Sequence, residues 1–431
     1  MIGQDILTYS SVILRPDPSR TVIRPFEPGD PPAFADKNHP RAQRIADRIL
    51  GLSDAELEAE LREVTVSLDD RHRDVEQSLL RRFHDVNGLL IDRCSVSRGQ
   101  SLLIGAYFSE EFSFEAAALF NPSIVLHWDQ SNLPDGTIRF VISLRSIGEG
   151  HVSSVTFRTG TWHPHNGVIV DLTSALAVAP RIEQSEGHQD DGLVRLNCRG
   201  SRDISETVLF PTTASQKQGI EDLRLVRFAE DDGTHCYLGT YTAYSGAEIR
   251  QEMLRSRDFR TFVMRPVQGA VAASKGLAFF PRRIHGRYLA LSRHDNESLW
   301  LLESDSLHIW NGGSRIVMPH YPWEFIQLGN CGSPIEIEEG WLVITHGVGM
   351  VRNYCLGACL LDKDDPSKLL ARMPEPLVRP SEKERDGYVP NVVYSCGAMV
   401  HDRTLLLPYG VADSFVTFAS VPIDKLLAAM I

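Results

Sequence analysis

Cysteine is scarce in this chain of 431 residues, and its seven copies, Cys94, Cys198, Cys236, Cys331, Cys355, Cys359 and Cys396, are odd in number and widely scattered. A chain of this size needs no covalent staples, so the usage excludes a disulfide scaffold and reads as reduced thiols in a cytoplasm. Long apolar runs are absent as well. No stretch reaches the roughly 18–20 apolar residues of a membrane span, and the opening MIGQDILTYSSVILRPDP lacks a basic start followed by an apolar core. The expectation is a soluble, unexported protein with no membrane partner. Positive charge is in deficit: 44 Lys and Arg against 56 Asp and Glu leave a net charge of -12, which argues against nucleic acid as a partner.

Several familiar chemistries are also missing. There is no G-x-S-x-G elbow, no Walker loop and no H-E-x-x-H, and Gly148-Glu149-Gly150 is not followed by a dinucleotide-binding pattern. Cys355 and Cys359 lie in an expected strand, on one face of it, and read as buried thiols. The WHPH run at residues 162–165 lacks further convergent ligands. No metal and no organic cofactor is expected.

What is present is ordinary globular material, 42% hydrophobic and 23% charged, in two regimes. From about residue 40 to 90 the spacing is helical: Leu57, Leu61, Val64 and Leu68 recur at three or four residues, Ser53 and Glu56 form a capping box, and Gly88 is a stop. This predicts a helical extension of two or three helices used for packing or oligomerisation, within an N-terminal segment spanning residues 1–112. From about residue 113 to 431, short β-branched and aromatic runs closed by Gly, Asp and Asn turns predict antiparallel sheet.

One unit recurs in that second regime. Asp135-Gly136 precedes IRFVISLRS, Asp232-Gly233 precedes CYLGTYTAY, His285-Gly286 precedes RYLALSRHD, Glu339-Gly340 precedes WLVITHGVG, and Asp402-Arg403 precedes LLLPYGVAD. The last four turns are about fifty to sixty residues apart, the length of one propeller blade, and five copies imply five blades. The longer first interval requires an insertion or extra strands around residues 160–215. A sandwich meander shares the alternating strands and turns. The polar strand ends Arg145, Tyr244, Arg293, His346 and Asp413 favour a propeller, where they would converge on one central depression. The predicted class is all-β, a five-bladed β-propeller with an N-terminal α-helical extension.

The stretch with most chemistry is Gly219–Arg224, GIEDLR, followed by Tyr241-Thr242-Ala243-Tyr244. Adjacent carboxylates, a cation and aromatic faces suit a site that grips hydroxyls and donates a proton, as sugars require. An isolated EDLR is usually a solvated turn. Here it stands in a series: GIEDLR with YTAY, SKGLAFFPRRIHGRY, GNCGSPIEIEEGWLVITHGVG, YCLGACLLDKDDPSKLLAR, and VPNVVYSCGA with YGVADSFVTFA. In that order these blocks resemble glycoside hydrolase family 130, over roughly residues 115–430.

The resemblance implies a five-bladed propeller acting on β-mannosides, as an inverting phosphorylase releasing α-mannose 1-phosphate or as an inverting hydrolase. It assigns the proton donor to Asp222, with Leu223 where the family usually has Pro, and sets Glu221 and Arg224 beside it. The proton would pass to the glycosidic oxygen through a mannose hydroxyl. It assigns inorganic phosphate, the co-substrate, to Arg293, His346 and Lys275, and the mannoside to Asn121, Ser123, Arg145, Tyr244 and Asp413. A further phosphate-binding Arg is missing from MPHYPWEF, where only His320 is near. Glu297, Glu324 and Glu336 lie in blocks where a hydrolase would carry its water-activating carboxylate. Retention of Arg293 and His346 favours the phosphorylase. A non-catalytic glycan-binding propeller is the remaining alternative, and a homo-oligomer is a family-level expectation.

Overall fold

The computed structural model describes residues 6–88, 96–183, 192–381 and 385–431; Cys94 lies outside them. Two compact units divide the chain: Pro18–Phe114 with Ala175–Ala179, and Met1–Asp17 with Glu115–Ser174 and Pro180–Ile431.

The smaller unit is helical, with helices over Arg41–Leu50, Asp54–Asp69, Val75–Asn87 and Arg98–Tyr107 and a strand pair of Thr21–Pro25 with Ser109–Ser113. Ser53 and Glu56 form the reciprocal capping box read from the sequence, and Gly88 follows the third helix. Leu57 and Leu61 pack with Phe83, Leu103 and Ile104, while Val64 and Leu68 pack with Val75 and Leu79. Gly105 allows the closest approach in this unit: a Cβ there would lie 2.0 Å from the Leu79 carbonyl oxygen.

The larger unit is built from antiparallel strands, and among the described residues they form five meanders. The first comprises Ala118–Leu126, Ile138–Ile147, Ser153–His163 and Gly167–Val170; the second Gly219–Ala229, His235–Tyr244, Ile249–Ser256 and Thr261–Pro266. A single parallel contact, Gly219 with Ser153, joins these two. The third runs through Lys275–Phe279, Tyr288–Arg293, Leu299–Ser304 and Gly313–Val317, and the fourth through Gln327–Asn330 with Ile335–Ile337, Gly340–Val348, Tyr354–Leu361 and Leu369–Arg372. The fifth holds Val393–Tyr394 with Met399–His401, Thr404–Val411 and Phe415–Pro422, and its outer strand is Thr8–Leu14. Among the described residues no sheet closes on itself.

Each recurring turn read from the sequence precedes or opens the second strand of a meander. The long first interval holds extra strands: Arg181–Glu183 and Val194–Asn197 extend the edge of the second meander, and Val208–Leu209 pairs with the first. The strand Thr8–Leu14, grouped by the sequence with the N-terminal segment, instead pairs with Phe415–Pro422.

These strands read as near-continuous apolar runs because both faces are covered. In Gly340–Val348, Trp341 and Val343 pack with Leu289 and Leu301 of the third meander, whereas Leu342 and Ile344 pack with Leu405 and Leu407 of the fifth. Other clusters join the first meander to the second, the second to the third, and the fifth back to the first.

The packing at Gly105 gives a direct test. Gly105→Val sets a branched side chain against a backbone carbonyl that cannot retreat alone, so it should cost about 1–3 kcal/mol. Urea unfolding followed by circular dichroism measures this, and an unchanged midpoint would contradict the close approach.

Candidate active site

The first strands of three successive meanders are interrupted at matching places. Ladder register shifts between Phe120 and Ser123, between Glu221 and Arg224, and between Lys275 and Ala278. An extra residue in one strand bends it and re-aims its side chains. Asn121, Asp222 and Gly276 sit in these bulges with φ of 47°, 54° and 88°. Asn and Asp tolerate the left-handed region better than most side chains, and such backbone clusters at functional sites.

The bulges set Asp222 among opposite charges. Asn121 donates from Nδ2 to Asp222 Oδ1 at 2.6 Å, and Arg145 donates from Nη1 to the same oxygen at 3.1 Å. Arg145 also donates to Glu221 Oε1 at 2.8 Å and to Ser153 Oγ at 2.8 Å, and Lys275 Nζ lies 3.5 Å from Glu221 Oε2. Burial by itself pushes the Asp222 carboxyl up, but the charges of Arg145, Arg224 and Lys275 and the Asn121 amide overcome it, so the group sits below the usual carboxylate range. At neutral pH it is ionised.

Arg224 plays a different part from the one its position beside Asp222 implied. Its guanidinium donates to the Cys331 carbonyl at 3.0 Å, to the Asp222 carbonyl at 3.1 Å and to the Tyr394 hydroxyl at 2.9 Å. It is 2% exposed, so these three partners replace water. Ser123 is likewise fully buried: its hydroxyl accepts the Leu225 amide at 2.9 Å and ties the first strands of two meanders together.

Arg293 and His346 form the other half of the site. A Cβ on Gly329 would lie 2.1 Å from Arg293 Cδ and 2.7 Å from His346 Cε1, so the absence of a side chain there lets both pack together. Arg293 is 8% exposed and His346 fully buried, and among the described residues neither Arg293 Nε nor a ring nitrogen of His346 makes a hydrogen bond of good geometry, although the Asn330 backbone acts on the ring. Burial first, then the nearby charges of Arg293 and Arg224, hold His346 well below the usual imidazole value, so it is neutral. Buried polar groups are rarely left unsatisfied, and a cation and an imidazole packed together in that state leave donors free for an anion.

Asp413, with φ of 47°, lies in the field of Arg145, Asp222 and Arg352. Burial is the largest influence on it and raises its carboxyl to about 6, against the pull of Arg145. Four of the five strand-end residues are thus drawn into one electrostatic cluster. Tyr244 is not tied into it: its hydroxyl turns back to the Gly246 carbonyl at 3.1 Å in its own exposed turn.

Sequence reasoning missed two tyrosines. Tyr354 stacks on His346, centroids 6.2 Å apart and planes 8° apart, and Tyr394 meets the same ring edge-on at 5.0 Å. Tyr394 stands in the quoted VVYSCGA block, so the signal was present without its role.

The three glutamates considered for water activation are placed elsewhere. Glu324 is fully buried and gripped by Arg372 Nη2 at 2.6 Å on each oxygen; Glu336 pairs with Arg282 at 2.9 Å; Glu297 is exposed on a turn. The six described cysteines are free and buried. Among the described residues no group of three or more His, Cys, Asp or Glu is placed to hold a metal, and no helix is long and apolar enough to cross a membrane. His163 of WHPH accepts the His165 amide at 3.0 Å within its own turn.

Comparison with known proteins adds four findings. Residues 197–431 match the model of glycoside hydrolase family 130, described as beta-1,4-mannooligosaccharide phosphorylase. The chain is 33% identical over 220 residues to a 1,2-beta-oligomannan phosphorylase of Thermoanaerobacter sp. (strain X514), covering 50% of this chain and 72% of that protein. It is 31% identical over 229 residues to a beta-1,2-mannobiose phosphorylase of Listeria innocua, covering 51% and 62%. The solved structure of a Listeria innocua beta-1,2-mannobiose phosphorylase with beta-1,2-mannobiose superimposes with a TM-score of 0.52 at 20% identity, over 74% of this chain and 92% of that one. At that identity the likeness concerns the fold.

Two predictions come from this geometry. Arg224→Met leaves two carbonyls and a hydroxyl buried without a donor, and should cost about 3–5 kcal/mol in urea unfolding; a loss below about 1 kcal/mol would contradict the three-way clasp. For Asp413 the folded value lies above the unfolded one, so its favourable contribution is complete below about 3.8 and disappears as pH rises through about 6. Asp413→Asn should therefore gain stability over the parent between pH 4 and pH 8, on the order of 1–3 kcal/mol. A pH-independent difference in urea midpoints would contradict it.

Proposed function

Because the chain belongs to glycoside hydrolase family 130, we propose that it is an inverting β-mannoside phosphorylase, converting a β-linked manno-oligosaccharide and inorganic phosphate into α-mannose 1-phosphate and the shortened sugar. The observation that carries this reading is the unpaired, buried Arg293–His346 pair in the same charged cluster as Asp222. A receptor for neutral glycans needs no such cation opposite a carboxylate. A hydrolase needs a free carboxylate to activate water, and Glu324 and Glu336 are each committed to an arginine.

In this mechanism Arg293 and Lys275 hold the phosphate, and neutral His346 donates its single ring N–H to it. Arg145, Asn121 and Asp413 line the mannose. A phosphate oxygen attacks the anomeric carbon on the face opposite the leaving oxygen, the glycosidic C–O bond breaks, and Asp222 supplies the proton that the departing oxygen gains, through a mannose hydroxyl. An inverting site keeps its acid and nucleophile well apart, so such a relay is chemically reasonable. The ionised state of Asp222 fits this scheme. Bound phosphate adds a second anion to the same cations, and a neighbouring like charge raises a carboxyl's pKa. Nucleophile and acid thus become ready together.

The same reading takes the five meanders as the blades of a five-bladed β-propeller with the helical unit as an N-terminal extension. It is supported by apolar clusters that link each meander to the next and the fifth to the first. It places the protein in the cytoplasm with no cofactor besides the phosphate co-substrate, in keeping with free, buried cysteines.

The test is incubation with β-1,2- and β-1,4-mannobiose, with and without phosphate, followed by chromatography. Mannose 1-phosphate should form only when phosphate is supplied. Free mannose in both conditions would select a hydrolase, and no turnover a binder. Asp222→Asn should lower turnover by about 10²–10⁴-fold with the fold retained.

A further inference from the structure

A second cationic cluster lies at the outer edge of the second meander, away from the residues around Asp222. There Arg195 pairs across the ladder with Val263, Val263 with Arg255, and Arg265 with Met253. Residues directly opposite share a face of the sheet, and so do residues two apart, which puts Arg195, Arg255 and Arg265 on one side. Arg283 joins them from the turn after the first strand of the third meander. The four guanidiniums line a cavity of about 550 Å³ whose walls include Phe228 and Tyr288.

Like charges placed side by side on a sheet are destabilising unless something neutralises them. Internal compensation is partial. Arg255 donates to Glu230 at 2.7 Å and Arg283 to Asp231 at 3.0 Å, while among the described residues Arg195 and Arg265 have no ion-pair partner. Asp305 is the other acid on the lining. In a chain of net charge -12 this is a local reversal of sign. Arg283 also donates to the Tyr288 hydroxyl at 2.6 Å, so its fork is fixed in advance. His308, on the same wall, lies below the ordinary imidazole value through burial and then the charges of Arg265 and Arg255, which marks how closely those guanidiniums crowd the cavity.

We propose that this cavity is a second ligand site that binds a phosphate monoester, with the phosphate between Arg195 and Arg265 and the body of the ligand against Phe228, Tyr288 and Leu307. The planar guanidinium fork matches phosphate oxygens, and the volume falls within the usual range for small-molecule pockets. None of its lining residues belongs to the cluster around Asp222, so this proposal stands independently of phosphorolysis.

Isothermal titration calorimetry at low salt tests it, using the full chain with Arg293→Gln to remove the free guanidinium beside His346. Glucose 6-phosphate should bind this protein at one site per chain, and glucose should not. Adding Arg195→Gln and Arg265→Gln, both on the solvent side of the sheet and without partners to lose, should weaken binding at least about tenfold with an unchanged circular dichroism spectrum. Undetectable glucose 6-phosphate binding, or equal affinity with and without the two arginines, would overturn the assignment.

Discussion

Burying a guanidinium costs several kcal/mol unless its nitrogens find partners, and Arg224 meets that condition by reaching three meanders at once, with one bond from each nitrogen. It holds the Cys331 carbonyl of the fourth, the Tyr394 hydroxyl of the fifth and the Asp222 carbonyl of its own strand. The last of these matters most for chemistry. Asp222 lies in a left-handed bulge, and its carbonyl is fixed from behind by Arg224 while its carboxylate is fixed from the front by Asn121 and Arg145. Packing and acidity are therefore set by one group: Arg224 ties the sheets together and also contributes to the field that keeps the acid ionised.

Around that clasp the inner strands exchange side-chain and backbone hydrogen bonds rather than forming a continuous ladder. Leu225 donates to Ser123, Cys396 to the Pro122 carbonyl, and Asn330 to the Gly276 carbonyl. Interrupted strands leave polar groups that must be paired, and these pairs do it while turning Asn121, Asp222 and Gly276 out of the ladder. Arg293 and His346 add unpaired nitrogens, and Asn121 and Asn330 each leave an amide oxygen unpaired as well.

Much of this was legible because it repeats. Arg145, Arg293, His346 and Asp413 could be singled out from equivalent strand ends, and the structure draws them into one field. Tyr244 occupies the same place in the pattern, yet its hydroxyl, at an exposed turn, donates to the nearby Gly246 carbonyl instead. Ser123 and Arg224 sit in informative blocks, but burial assigns them to holding strands together, a distinction that depends on neighbours distant in sequence. The strand Thr8–Leu14 has no local partner to betray it, since it pairs with Phe415–Pro422 at the far end of the chain. Bulges with positive φ at Asn and Asp carry no glycine signal, so the device that aims the acid was invisible.

The central claim is that one electrostatic cluster couples the acid to the anion, and the most direct measurement is the carboxyl ¹³C titration of Asp222 by NMR with and without saturating phosphate. The account predicts an Asp222 ionised through the ordinary carboxylate range in the free protein, with its titration moving upward when phosphate is bound. A titration curve that phosphate leaves in place would contradict it.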